Sequence, residues 1–75
     1  MEEVVSIIAR ALVEYPEEVR VQAREEEHFL VLELHVAPSD VGRVIGRQGK
    51  IAQAIRTLVR AAGAYKRRRV SLEIV

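Results

Sequence analysis

Apolar residues recur along this 75-residue chain with two different periods, and the points where the period changes divide it into elements. In residues 2–15, Val4, Ile8, Ala11, Leu12 and Tyr15 follow the 3.6-residue period of a helix, with Glu2, Glu3, Arg10 and Glu14 outside the stripe. Pro16 ends that helix, because the residue before a proline is pushed out of the helical region. The period then falls to two. Val19, Val21 and Ala23 alternate with Arg20, Gln22 and Arg24, which predicts a half-buried strand, and the polar "REEE" at 24–27 turns the chain. Leu30, Leu32, Leu34 and Val36 line one face of the next strand, while Phe29, Val31, Glu33 and His35 share the other. Near the far end, Val70, Leu72 and Ile74 alternate with Ser71 and Glu73 in a third strand.

Between the second and third strands the helical period returns twice. Pro38 suits a first helical position and Asp40 favours the positive end of the helix dipole, so a short helix begins there and Gly46 ends it. From Lys50 onward, Ile51, Ala52, Ile55, Leu58, Val59 and Ala62 fall within one arc; Lys50, Gln53, Arg56, Thr57 and Arg60 take the opposite one. Gly63, within "AAGAYKRRR", is expected to close this helix and lead into the last strand. The order is helix, strand, strand, helix, helix, strand. A hairpin pairs its strands antiparallel, and a strand reached through a helical crossover can lie parallel to one of them. The expected architecture is therefore α+β: a three-stranded mixed sheet with three helices packed on one face. Some apolar surface is left over. Phe29 and Val31 point away from the expected helix layer, and Ala54 and Ala61 widen the apolar arc of the long helix.

Composition narrows what such a domain can do. A core of this size rarely supplies more than about 3–5 kcal/mol unaided, so burial against a partner would add useful stability. The absence of cysteine excludes disulfides, thiolate metal sites and cysteine nucleophiles, and it suits a reducing compartment. The acidic start of "MEEVVSIIAR", with Ser6 and Arg10 breaking the apolar run, is unlike a secretory signal. No stretch approaches the roughly 18 apolar residues of a membrane span, so a cytoplasmic protein without membrane attachment is expected. His28 and His35, seven apart on one strand, would face opposite sides and cannot share a metal. Ser6, Ser39 and Ser71 have no histidine–acid constellation near them, so neither catalysis nor a cofactor is expected.

Charge changes the picture more. Net charge is only +1, yet residues 1–40 carry ten acids against three arginines and residues 41–75 carry nine bases against Glu73 alone. Such polarity points to an anionic partner on one side of the fold, unless the two halves simply neutralise each other. The basic half contains "VIGRQGK" at 44–50, where Gly46 and Gly49 enclose Arg47 and Gln48, with Arg43 and Lys50 beside them. Glycine tolerates positive φ and lets another backbone come close, and the first turn of the following helix offers N–H groups to a phosphate. A phosphate-cradling Walker loop would need glycine at position 44 and Ser or Thr at 51, where this chain has Val44 and Ile51. A dinucleotide-binding fingerprint fails at the same position 44 and lacks a strand directly before the loop.

"VIGRQGKIAQAIRTLVRAA" on this frame resembles a KH domain of the second, bacterial type. The chain is most similar to the small single-domain KH RNA-binding proteins of the KhpA (YlqC-like) family. The likeness, including "VAPSDVGRVIGRQGK", covers residues 1–75 as one KH domain. The resemblance implies single-stranded RNA, or single-stranded DNA, held in a cleft whose GxxG loop clamps the backbone of about four nucleotides. On this chain the clamp would be Gly46, Arg47, Gln48 and Gly49; Val44, Ile45 and Ala52 would form the apolar groove; Arg43, Lys50, Gln53 and Arg56 would flank it. Ala52 departs from the isoleucine that many KH domains carry, which narrows or re-aims the groove wall. With no Trp, and with the single Phe and both Tyr elsewhere, bases would rest on aliphatic surface, giving modest affinity. The implied role is that of a general RNA-binding or chaperone protein or a post-transcriptional regulator, working as a homodimer or paired with another KH-containing RNA-binding protein. The alternative is a subunit used mainly for dimerisation within a larger RNA-binding complex. "KRRR" at 66–69 reads either as a solvated turn opening an edge strand or as a further contact with nucleic acid or a partner.

Overall fold

A computed structural model describes residues 1–75 as α1 (Glu2–Leu12), β1 (Arg20–Glu25), β2 (Phe29–His35), α2 (Val41–Ile45), α3 (Lys50–Tyr65) and β3 (Arg69–Ile74). Short 3₁₀ turns at Pro16–Glu18, Pro38–Asp40 and Arg47–Gly49 join them. β1 pairs antiparallel with β2, from Arg20 opposite His35 to Glu25 opposite Leu30. β2 pairs parallel with β3, from Phe29 beside Arg69 to Leu34 beside Ile74. This is the mixed sheet expected, with β2 in the centre and β1 and β3 as its two edges.

One face of that sheet carries the core. Leu30, Leu32 and Leu34 of β2 and Val70 and Leu72 of β3 meet Val5 and Ala9 of α1, Val44 of α2, and Ile55 and Val59 of α3. The face of α1 turned inward is one residue round from the expected stripe. Val5 and Ala9 are buried while Val4 stays 54% exposed, and Ala11 and Tyr15 also lie at the surface. Adjacent apolar pairs (Val4–Val5, Ile7–Ile8) let either stripe satisfy the helical period. The small Ala9, with no exposed surface at all, sets the face that approaches the sheet.

The same helix ends three residues earlier than Pro16 requires, and Asp40 is the reason. Val13 turns extended (φ −94°, ψ 161°), and the next two N–H groups leave the helix for the Asp40 carboxylate. Glu14 N donates to Oδ1 at 3.0 Å and Tyr15 N donates to Oδ2 at 3.1 Å. Arg43 Nε adds an ion pair at 3.3 Å to the same carboxylate, which has no solvent exposure. Asp40 precedes α2 but makes no cap to it; its oxygens serve the exit of α1 instead. A buried carboxylate is tolerable only with such partners, since desolvating it unpaired costs several kcal/mol.

Gly63 does not close α3. The helix continues to Tyr65, and Gly63 is buried because a Cβ there would sit 2.6 Å from both the Arg68 carbonyl oxygen and Val70 Cγ2. Helix termination falls to Arg67 (φ 56°). Arg68 N donates to Gly63 O at 2.7 Å and Arg67 N to Ala64 O at 2.9 Å, the paired bonds of a Schellman turn. His28 lies in the β1–β2 turn rather than on a strand, so strand alternation does not fix its direction relative to His35.

The outer sheet face is less bare than its apolar residues suggest. Arg24 on β1 lies opposite Val31 and reaches across β2 to Glu33 and on to Glu73 of β3 at 3.6 Å, with Glu26 at 3.0 Å. The hydrogen bond to Glu26, aided by the Glu33 and Glu73 charges, raises the Arg24 pKa above its ordinary value. To make those contacts the guanidinium must pass over the centre of the sheet, and Val31 beneath is only 2% exposed. Val31 therefore needs no partner to cover it, whereas Phe29 remains open.

Replacing Asp40 with alanine strands two backbone donors and the Arg43 guanidinium together. We expect Asp40→Ala to lose about 2–4 kcal/mol in urea unfolding, against less than about 0.5 kcal/mol for the exposed Glu17→Ala. Equal unfolding midpoints for the two variants would contradict this role.

Candidate nucleic-acid interface

The loop between α2 and α3 is built from backbone that ordinary residues avoid. Gly46 has φ 77° and ψ 173°, a combination essentially restricted to glycine. Gln48 (φ 59°, ψ 25°) and Gly49 (φ 73°, ψ 11°) are both left-handed. Three of four consecutive residues thus lie at positive φ, and the loop is pinned by Gly46 N to Gly42 O at 2.9 Å and Gly49 N to Gly46 O at 3.1 Å. Space is short at one end only. A Cβ on Gly46 would stand 2.6–2.9 Å from three carbons of Ile51, while nothing lies within 4 Å of one on Gly49. The tight turn pushes Arg47 and Gln48 into solvent. α3 then begins with no side-chain cap, leaving its positive end uncompensated beside them.

The expected site residues separate into those at the surface and those beneath it. Gly46 to Gly49, Ile45, Lys50, Gln53 and Arg56 share the loop and the adjoining start of α3, with Ile45, Arg47, Gln48, Lys50 and Gln53 exposed. Val44 and Ala52 do not form an accessible groove wall: Val44 is wholly buried in the core and Ala52 nearly so. They support the loop from below. Arg43 turns toward the α1 exit, where it pairs with Asp40 and, at 3.5 Å, with Glu14. It belongs to the Asp40 junction as placed.

What the pattern of residues did not reveal is how the cleft continues. α3 and β3 run side by side in opposite directions along the open edge of the sheet, so the face with Arg56 and Arg60 looks onto the free edge of β3. Arg56 Nε reaches the Leu72 carbonyl at 3.4 Å, and a cleft of about 280 Å³ lies between Arg56 and Arg60 on one side and Val70, Ser71 and Leu72 on the other. The 3–4-residue spacing of Gln53, Arg56 and Arg60 was a usable signal for a common face. That β3 would be the neighbour needed the sheet order as well.

Electrostatics sharpen the picture. Of the nine bases in residues 41–75, Arg43 and Arg68 are held in ion pairs with acids of the first half. Arg47, Lys50, Arg56, Arg60, Lys66, Arg67 and Arg69 are in none, so mutual neutralisation of the halves is only partial. These free charges lie on the loop, on α3, on the turn after it and at the start of β3.

An αββααβ frame with a GxxG loop between its second and third helices defines a KH domain of the second type. Residues 2–74 match the family model described as KhpA/KhpB, KH domain. The chain belongs to this KhpA/KhpB KH-domain family. It is 51% identical to the RNA-binding protein KhpA of Caldanaerobacter subterraneus subsp. tengcongensis and 49% identical to that of Clostridium perfringens, over the full length of both partners in each comparison. With the RNA-binding protein KhpA of Borreliella burgdorferi it shares 48% identity, covering 97% of this chain and 89% of the relative. These relatives are named for binding RNA and not for catalysis. No solved structure matches the chain.

The two loop glycines should respond unequally to a methyl group. Gly46→Ala forces a forbidden backbone and displaces Ile51, so a loss of about 3 kcal/mol or more is expected in thermal or urea unfolding. Gly49→Ala meets no neighbour and should lose only about 1 kcal/mol for its left-handed backbone. The reverse order would mean that the loop geometry is wrong.

Proposed function

We propose that this chain binds single-stranded RNA by clamping about four nucleotides of its backbone at Gly46–Gly49. Arg47, Lys50, Arg56 and Arg60 supply the charge, and Ile45 with the α3–β3 cleft receives the bases. The observation that carries the reading is the loop itself: a strained backbone held open to solvent at an uncapped helix start, with no acid paired to its bases. The names of the relatives support the same chemistry. Single-stranded DNA offers the same phosphates, and only contacts to the 2′-hydroxyl would separate the two. Reading strand backbone more than base edges suits a general RNA-binding, chaperone or post-transcriptional role, and we place it in the cytoplasm. No helix is long and apolar enough to cross a membrane.

A second reading, pairing with another copy or with a related KH protein, is favoured by the outer helix surface. Val4 and Leu58 are 54% and 55% exposed, beside a small wholly apolar crevice between α1 and α3, and Ala54, Ala61 and Ala62 lie at the surface of α3. Small residues there allow a second helix to come close. Both readings hold together, since two linked grooves gain effective concentration on one strand.

One variant separates them. Replacing Arg47 and Gln48 together with aspartate changes two exposed side chains and sets negative charge against the phosphates. The double variant should keep its unfolding midpoint within about 1 kcal/mol and lose at least tenfold in affinity for short single-stranded RNA by gel shift. By sedimentation it should remain in the same association state as the parent chain. Unchanged RNA affinity would refute the clamp, and a parent chain that is monomeric at every concentration would refute the pairing.

A further inference from the structure

The cleft beside α3 does not stop at Arg60. Beyond it opens a larger hollow of about 710 Å³, whose lining includes Phe29, Arg60, Arg67, Arg68 and Arg69. No acidic residue lines it. Phe29 is the chain's single phenylalanine, 41% exposed on the outer sheet face beside Arg69. The hollow therefore wraps round the free edge of β3, from α3 to an exposed aromatic ring. α3 rises about 15 Å from Lys50 to Arg60, so this place begins about that far from the GxxG loop.

Arg67 carries a second, independent observation. It occupies the left-handed position that ends α3, where glycine is the usual residue. A side chain there strains the backbone, and such strain persists where the surroundings or the function require it. The Schellman bonds at 2.7 and 2.9 Å fix the turn, so the backbone that projects the Arg67 side chain is held in place. Its neighbour Arg68 is different. Glu25 pairs with Arg68 at 2.9 Å, neutralising it locally, while Arg60, Arg67 and Arg69 have no ion-pair partner. An aromatic ring ringed by free guanidinium groups is the combination that single-stranded nucleic acids use, the ring stacking a base and the cations meeting phosphates.

We infer that the far end of the α3–β3 cleft is a second nucleic-acid subsite. Phe29 stacks a base that lies beyond the four held at the loop, and Arg67 and Arg69 take the adjoining phosphates, with Arg60 at the boundary between the two places. This rests on the RNA-clamp reading and extends it, because a strand long enough to reach both places is gripped at two ends. It also gives the basic run after α3 a function.

Fluorescence anisotropy with labelled tetrauridine and octauridine tests it on the full chain. Arg67→Gly should fold at least as stably as the parent, since glycine relieves the left-handed strain, and Phe29→Leu keeps an apolar side chain. Each should weaken octauridine binding about fivefold or more, the low end of what one stacked base contributes, while tetrauridine affinity changes less than twofold. Arg68→Gln, already paired in the parent, should change neither. Equal losses for both lengths would assign the effect to overall charge and overturn the subsite, as would unchanged octauridine binding. Unchanged RNA binding with a smaller sedimenting species would make the hollow a protein interface instead. A parent chain that binds tetrauridine but gains nothing from Phe29 or Arg67 refutes the subsite alone; one that binds neither RNA refutes the clamp as well.

Discussion

A single buried carboxylate ties the helical half of this domain together. Asp40 lies at the start of α2, yet it holds the two N–H groups at the exit of α1 and the Arg43 guanidinium one turn further on. With no solvent exposure it has no substitute partners, so the three donors and the carboxylate must be placed together or not at all. That requirement stops α1 at Leu12 and fixes where α2 begins. It also anchors the helix that presents the loop. Val44, buried in the core one turn beyond, completes the fixing from the apolar side.

A rigid entry is what allows the loop to be strained. The sequence Gly46-Arg47-Gln48-Gly49 must reverse direction between α2 and α3 within four residues, and it does so with three residues at positive φ. Ile51 fills the space a Gly46 side chain would need, so glycine here is set by packing as well as by φ. The outcome is an exposed, rigid loop geometry obtained from local rules. Two charged or polar side chains are forced outward, the α3 dipole is left open, and the free edge of β3 runs beside the basic face of α3. The proposed phosphate clamp needs donors and charge held in advance, and this arrangement holds both in place.

Much of the fold was legible because the decisive patterns were unambiguous. Leu30, Leu32 and Leu34 can alternate only one way, and a helical crossover before Val70 leaves little choice but a parallel third strand. Element order and sheet face follow directly. The face of α1 did not, because doubled apolar pairs fit two stripes and the choice is made by Ala9 against the sheet. Gly63 read as a helix end by local rules, while its actual cause is Val70 and the Arg68 carbonyl across the turn. Arg43 reads as a site residue from its place beside the loop, and Val44 and Ala52 from the family resemblance; neither says which way a side chain turns, and here they turn to Asp40 and to the interior. Contacts between distant residues (Asp40 with Glu14 and Tyr15, Arg24 with Glu73) leave no periodic trace at all. The loop was legible for the opposite reason: its glycine spacing and charge are local, and so is its geometry.

The most direct measurement of the central claim is amide chemical-shift mapping during titration with a short single-stranded RNA. Our account predicts the largest changes at Gly46 to Lys50, continuing along Gln53, Arg56 and Arg60 of α3 and onto the edge of β3, with α1 and β1 little changed. Changes concentrated on α1 or the outer sheet face, with the amides of Gly46 to Gly49 unmoved at saturation, would contradict it.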